Sequence, residues 1–174
     1  MKIHIRQAIP TDALAIAQVH VKSWQTTYRG IINDDYIDSL DINKKQKTWT
    51  RLLQNQERPT WVLWVDNEIV GFASAGANRT ANDYDGELYA LYFLKSFQGK
   101  GLGRKLMIAA AQNLLEMGFK AMQVWVLRDN PSVGFYKKCG GIFIDSQILT
   151  IGKQDVIEDA YVWADLAQWL TSQE

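Results

Sequence analysis

The stretch Gln98-Gly99-Lys100-Gly101-Leu102-Gly103-Arg104 places three glycines at alternate positions between two apolar segments. Residues 88–94 before it form an apolar run typical of a strand, and apolar residues between Leu106 and Leu114 recur at helical spacing. Glycine lets the backbone approach a ligand closely. A helix that begins directly after such a turn directs several backbone N–H groups, and the positive end of its dipole, at one place. The stretch therefore predicts a phosphate-binding loop.

The spacing of the glycines decides between the known kinds of phosphate loop. A P-loop needs a lysine followed by serine or threonine after its last glycine, and no such string occurs. In a dinucleotide-binding loop the third glycine would come one residue later, and an acid would end the next strand, which here ends in Arg128. What remains is Gln-x-x-Gly-x-Gly, formed by Gln98, Gly101 and Gly103, or a glycine turn that only connects two elements.

A second string lies about thirty residues further on, where Asn130-Pro131-Ser132 is followed by Phe135-Tyr136-Lys137-Lys138 and Gly140. Together the two strings resemble the two signatures of the GNAT superfamily of N-acetyltransferases, in the right order and in the right elements. The resemblance implies an α/β (α+β) fold with a mixed, mostly antiparallel twisted sheet of about seven strands and helices on both faces. It also implies acetyl-CoA as the cosubstrate, with no metal.

Strand and helix patterns follow one another along the chain in the order βααββ-βαβαββ, without a linker long enough to divide it. We therefore expect a single domain over residues 1–174. One polar helical region is predicted over about 34–54. The chain is predicted to finish with a hairpin of residues 142–150 and 156–163.

The resemblance assigns the residues that would bind coenzyme A. Leu91, Tyr92 and Phe93 would pair with the pantetheine arm as an added strand does, and a backbone N–H near Phe93 would polarise the acetyl carbonyl. Asn130 would donate a hydrogen bond near the same arm. The pyrophosphate would lie in the loop made by Gln98, Gly99, Lys100, Gly101, Leu102, Gly103 and Arg104.

Acetyl transfer to an amine also needs a proton donor for the departing thiolate, and Tyr136 is the candidate. A phenol with a pKa of about 10 can still protonate a thiolate with a pKa of about 8.5 that forms beside it. Its place on a short helix, six residues after Asn130, matches the catalytic tyrosine of the family. The alternative is a tyrosine that only packs beneath the sheet.

A general base is the second catalytic requirement, because an amine attacks only in its neutral form. For an alkylamine of pKa about 10.4, deprotonation at pH 7 costs roughly 4.6 kcal/mol, against about 1.4 kcal/mol for an α-amine near pKa 8. Glu87, at the start of the predicted fourth strand, is the first candidate, with Asp83 and Asp85 as rivals. The alternative for Glu87 is an exposed carboxylate at a strand end.

Composition limits the partners. Lys plus Arg and Asp plus Glu both number 19, so no net field attracts nucleic acid or an anionic membrane. The single Cys139 excludes an internal disulfide, and the N-terminus shows no signal peptide, so we expect a cytoplasmic protein. His4 and His20 have no acid or cysteine at ligand spacing, and we predict no metal site.

The sequence therefore predicts an acetyl-CoA-dependent N-acetyltransferase that moves an acetyl group directly to a primary amine. The first prediction for the acceptor is a small molecule. Alternatives are a protein N-terminal or lysine acetyltransferase, a non-catalytic coenzyme A or acyl-CoA sensor, and a nucleotide-binding protein. Trp24 and Tyr28 resemble the acceptor wall of family members that act on small amines, or they belong to the core. Members of this family are often dimers, so a homodimer is one alternative for the assembly. Trp163 and Trp169 would then lie either at the dimer interface or in the core.

Overall fold

The computed structural model describes residues 2–56 and 58–173, and within these residues seven strands form one sheet in the order β1-β2-β3-β4-β5-β7-β6. Neighbouring strands are antiparallel except β4 and β5, which are parallel. The predicted fold class is confirmed. The strands are β1 (Ile3–Gln7), β2 (Thr60–Val65), β3 (Glu68–Ala77), β4 (Gly86–Phe93), β5 (Met122–Leu127), β6 (Ile142–Ile151) and β7 (Gln154–Trp163).

Helices cover both faces of this sheet. They are α1 (Ala13–Thr27), α2 (Asp34–Asp38), α3 (Ile42–Gln54), α4 (Leu102–Glu116), α5 (Val133–Lys138) and α6 (Leu166–Thr171). Helices α1 and α3 pack on one face, against the ring of Phe72 and the side chain of Val62. Helix α4 packs on the other face, where Leu106, Met107 and Leu114 are fully buried. No helix of the described residues is long and apolar enough to span a membrane.

Two helical predictions were incomplete. The single helical region expected over 34–54 is divided, because Asn33 caps α2 through the N–H of Asp35 and Asp41 starts α3 anew by accepting from the N–H of Lys44. Helix α6 was not predicted at all. It has only six residues, too few for a clear hydrophobic period, and begins where the Asp165 carboxylate accepts from the N–H of Gln168.

The two C-terminal tryptophans pack in or against the core. The indole N–H groups of Trp163 and Trp169 both donate to the main-chain oxygen of Cys139, at 2.9 and 2.7 Å, and so hold the end of α5. A Cβ atom at Gly141 would lie 2.9 Å from the Trp163 ring, so this ring takes the space of a side chain there. The homodimer stays a prediction: Trp163 is buried in the core, whereas Trp169 packs against the core and remains partly exposed.

Strands β4 and β5 diverge along most of their length. The two strands pair at only one position, Glu87 with Gln123, whereas β4 pairs with β3 along its whole length, from Gly86 to Phe93. Beyond Glu87, the edge of β4 that faces β5 is therefore left without a strand partner. This divergence produces the cavity described below.

Replacement of Leu106 by alanine tests the packing of α4 on the sheet. Leu106 is fully buried, so Leu106→Ala should lower the free energy of unfolding by about 2–5 kcal/mol. Leu14 of α1 is 42 % exposed, and Leu14→Ala is the matched control with an expected change within about 0.5 kcal/mol. Urea denaturation followed by circular dichroism measures both, and equal losses would contradict the burial of α4.

Candidate active site

The cavity between β4 and β5 has a volume of about 590 Å³ and passes from one face of the sheet towards the other. One end, here called the loop end, is lined by Gln98, Gly99, Gly101, Gly103, Phe135 and Tyr136. The opposite end, here called the α1 end, is lined by Ser23, Thr26, Thr27, Tyr28, Tyr89 and Trp125. A cavity with two ends lets two reactants approach each other from opposite sides of the sheet.

The loop end has the geometry of an anion site. Gly99 and Gly101 have φ values of 72° and 74°, the left-handed region that favours glycine, and α4 begins at the next residue, Leu102. Among the described residues, no acceptor bonds the backbone N–H groups of Gly99, Lys100 or Gly101. Gln98 ties the loop to the strand through its Nε2, which donates to the Phe93 oxygen at 3.2 Å.

Most of the residues predicted to bind coenzyme A line this one cavity. They are Leu91, Tyr92, Phe93, Gln98, Gly99, Gly101, Gly103 and Asn130. Three others do not line it. Leu102 is 1 % exposed in the core under α4, Lys100 lies over the Phe97 ring, and the Arg104 guanidinium donates to Gln173 at 2.7 Å. These three residues could contact a ligand in the cavity only with their backbone atoms or after a rearrangement of their side chains.

Tyr136 lines the loop end from α5, packed between Phe135 and Trp163. Its hydroxyl has no hydrogen-bond partner within the described part of the chain, so it is available to a ligand. Burial, with smaller contributions from Tyr92 and Cys139, raises the pKa of Tyr136 above its ordinary value. The phenol therefore keeps its proton at neutral pH and can donate a hydrogen bond, but the same shift makes it a weaker acid than a free phenol.

Asn130 connects the two ends of the cavity. Its Nδ2 donates to the Tyr28 hydroxyl oxygen at 3.0 Å, across 102 residues of sequence, and its Oδ1 accepts from the N–H of Ser132 at 2.8 Å. Among the described residues, the Tyr28 hydroxyl has no acceptor for its own proton and can donate into the cavity. Trp24 packs against Tyr28 with ring centroids 4.7 Å apart. Tyr28 thus forms part of the cavity wall, whereas Trp24 does not line the cavity, and a role of either residue in holding an acceptor stays a prediction.

Glu87 is not the exposed carboxylate at a strand end that was the alternative to a catalytic base. It is 2 % exposed and absent from the cavity lining. Arg79 engages both carboxylate oxygens, through Nη2 at 2.6 Å to one, and through its backbone N–H at 2.9 Å and Nε at 3.3 Å to the other. Of its rivals, Asp85 accepts the backbone N–H groups of Lys120 and Ala121, and Asp83 is exposed.

His20 lies behind the cavity wall. Its ring stacks on Tyr92 at 5.2 Å, and its Nδ1 accepts from the indole N–H of Trp49 at 3.2 Å. Burial, followed by the nearby cations Lys45 and Arg58, lowers the pKa of His20 to about 3. His20 is therefore neutral at physiological pH, and Trp49 already uses the lone pair that a base would need.

The sequence did not point to several residues of the α1 end. Ser23, Thr26, Thr27 and Trp125 line it, but their polar or aromatic side chains carry no motif. The available signal was that Ser23 and Thr27 lie one turn apart on the otherwise apolar inner face of α1. Trp125 would have needed the knowledge that β5 leaves β4 at this point.

Comparison with known proteins agrees with this geometry. The model of the acetyltransferase (GNAT) family matches residues 21–141. An uncharacterized N-acetyltransferase of Bacillus subtilis, YuaI, is 37 % identical over 170 residues, which is 95 % of each chain. Spermidine N(1)-acetyltransferase of Thermoplasma acidophilum is 28 % identical over 142 residues, 78 % of this chain and 84 % of that one.

A solved structure gives the same result in three dimensions. PaiA N-acetyltransferase from Thermoplasma acidophilum, in complex with coenzyme A, superposes with a TM-score of 0.70 at 27 % identity, over 91 % of this chain and 98 % of that one. The fold and its divided sheet define an enzyme that transfers acetyl groups to nitrogen. The chain belongs to the GNAT family of N-acetyltransferases, and the predicted family and enzyme class are confirmed.

A double-mutant cycle tests the connection between the two ends of the cavity. Tyr28→Phe and Asn130→Ala should each lower the free energy of unfolding, Tyr28→Phe by about 0.5–1.5 kcal/mol for one lost hydrogen bond. The double variant should lose about 1 kcal/mol less than the sum, because both changes remove the same bond. Chemical denaturation measures the four proteins, and strict additivity would show that the two side chains do not interact.

Proposed function

We propose that the chain is an acetyl-CoA-dependent N-acetyltransferase that moves an acetyl group directly to the primary amine of a small molecule, as a single domain over residues 1–174. The observation that carries the proposal is the cavity through the divided sheet. Coenzyme A enters at the loop end and the amine at the α1 end. The thioester and the nitrogen therefore meet between β4 and β5, without a metal or a covalent enzyme intermediate.

The residues of the loop end suit coenzyme A. The pyrophosphate accepts the free N–H groups of residues 99–101 at the start of α4, where the helix dipole favours negative charge. The unpaired edge of β4, from Leu91 to Phe93, offers main-chain groups to the pantetheine amides. The related PaiA N-acetyltransferase from Thermoplasma acidophilum was solved in complex with coenzyme A, which supports coenzyme A as the ligand.

In the proposed reaction, the neutral amine nitrogen attacks the thioester carbon, a C–N bond forms and the C–S bond breaks. The thiolate takes a proton from the Tyr136 hydroxyl, which lines the cavity and remains protonated at neutral pH. Tyr136 then recovers a proton from water, and the proton that the nitrogen loses goes to a base or to water. Asn130 orients α5, and with it Tyr136, relative to α1.

Glu87 is the proposed base, and the geometry supports it less strongly than it supports Tyr136. Because Arg79 holds both oxygens and the side chain does not line the cavity, the proton would reach Glu87 only through water. A structural role, in which Glu87 fixes the loop that carries Arg79, predicts a different response to mutation.

A small molecule is the proposed acceptor because one of the relatives is a spermidine acetyltransferase. The first experiment measures release of coenzyme A thiol from acetyl-CoA with a panel of polyamines, monoamines, amino acids, aminoglycosides and short peptides. Release that depends on a small amine supports the proposal. Release with peptides alone would replace it by protein acetylation, and coenzyme A binding without release would leave a binding module.

Replacement of Tyr136 by phenylalanine tests the proton donor. Because the ring remains while the hydroxyl is lost, Tyr136→Phe should lower kcat by about 10²-fold and leave the affinity for coenzyme A unchanged. Tyr161→Phe is the matched control, since Tyr161 is equally buried in β7 but does not line the cavity. Steady-state kinetics and calorimetry measure the two effects. Unchanged kcat would remove Tyr136 from the mechanism.

A pair of variants separates a basic from a structural role of Glu87. Glu87→Gln and Arg79→Met both break the same ion pair, but only the first removes the carboxylate. If Glu87 is the base, Glu87→Gln should lower kcat/KM by about 10²-fold and abolish the fall of kcat/KM at low pH. Arg79→Met should keep most of the activity. The pH dependence of kcat/KM for both proteins is the measurement. Equal losses would assign Glu87 a structural role.

A further inference from the structure

Glu158 lies on the same face of the sheet as the α1 end of the cavity. In β7 it stands between Val156, which packs in the cluster of Tyr28, Ile32 and Leu127, and Ala160. Because side chains alternate along a strand, Glu158 shares the face of Val156. Its paired residue on the neighbouring strand β5 is Leu127. Its diagonal neighbour on β5 is Trp125, which lines the cavity.

The carboxylate of Glu158 forms no ion pair among the described residues, and the cation that it affects is Arg79, which is already paired with Glu87 and whose pKa Glu158 helps to raise. Oε1 of Glu158 accepts from Nε2 of Gln147 at 2.6 Å. Other acids of the chain form ion pairs: Glu87 pairs with Arg79, and the exposed Asp34 and Asp38 both pair with Arg29. Glu158 is only partly exposed, so its charge is less screened than that of a surface carboxylate.

The charge of Glu158 reaches the walls of the cavity. The pKa of Tyr28 is raised first by burial, then by Tyr92 and Tyr136, and also by Glu158. The pKa of Tyr92 is raised by burial and, more weakly, by the same carboxylate. Both tyrosines line the cavity, whereas Glu158 itself does not, so a cation held by Glu158 would lie beyond the α1 end, on the far side of its diagonal neighbour Trp125.

We propose that Glu158 determines acceptor specificity by binding the second ammonium group of a diamine or polyamine whose reacting amine enters the α1 end. This inference rests on the proposed function and deepens it. One ammonium replaces the missing positive partner of Glu158, and the apolar chain between the two nitrogens lies along Trp125 and Tyr28. The reacting nitrogen, free of a carboxylate partner, is then able to lose its proton.

The experiment compares three acceptors of equal chain length: 1,5-diaminopentane, n-pentylamine and 5-aminopentanoate. They carry a cation, no charge and an anion at the far end. In the wild-type protein kcat/KM should follow that order, with an advantage of about tenfold for the diamine that shrinks as salt is raised. Diamines of three to eight carbons measure the spacing between Glu158 and the reacting nitrogen.

Two substitutions of Glu158 assign the effect. Glu158→Gln should reduce the preference for the diamine over pentylamine about tenfold, chiefly through KM. Glu158→Lys should favour 5-aminopentanoate over the diamine. Asp155→Asn is the matched control, since Asp155 is an exposed acid on the other face of β7 and should leave the preference unchanged.

The outcomes separate this inference from the proposed function. Acetyl transfer by the wild-type protein with the same kcat/KM for all three acceptors, or a preference that survives both Glu158 substitutions, would overturn the role of Glu158 alone. Absence of transfer to every small amine would overturn the proposed function. Circular dichroism and coenzyme A affinity of each variant confirm that the compared proteins are folded.

Discussion

Two adjacent parallel strands that pair at a single position are the constraint on which the rest of the site depends. Beyond the Glu87–Gln123 pair, the main-chain groups on the edge of β4 that faces β5 lack a strand partner, and unpaired buried backbone groups are costly. The sheet meets this cost in part at the Phe93 oxygen, which accepts from the Gln98 side chain. The remaining edge is open to a ligand with amide groups. The gap that weakens the sheet is thus also the place where a substrate can be bound.

The two sides of this gap differ in how their charge is arranged. At the loop end, positive potential comes from the backbone, from the dipole of α4 and from Lys95, which lines the cavity. Lys100 lies over the Phe97 ring, and Arg104 donates to Gln173. On the face of the α1 end, the buried Glu87 carboxylate is paired with Arg79, and the partly exposed Glu158 carboxylate forms no ion pair with the described residues. Under the proposed function, an anionic donor and a cationic acceptor would be favoured at opposite ends, which would reduce competition between them for one site.

Sequence alone identified the parts of the site that depend on local pattern. The glycines of the loop, the strand before it and the helix after it could be predicted because they adjoin in the chain, and Tyr136 and Asn130 followed from a motif. The sequence did not reveal the contacts between residues that are distant in the chain. No sequence pattern indicates that Arg79 forms an ion pair with Glu87, that Trp125 lines a cavity, or that Glu158 forms no ion pair with the described residues. Helix α6 was missed because six residues hold too little periodicity.

The hydrogen bond between Asn130 and Tyr28 has a consequence for how the chain folds. It joins segments 102 residues apart, and the end of α5 is held in turn by Trp169. Contacts so distant in sequence form late, because loop closure must be completed before they contribute. A partly folded chain that lacks β5 and α5 would have no cavity. A molecule that fills the cavity therefore binds the native state and not earlier ones, and by mass action it protects the whole chain against unfolding.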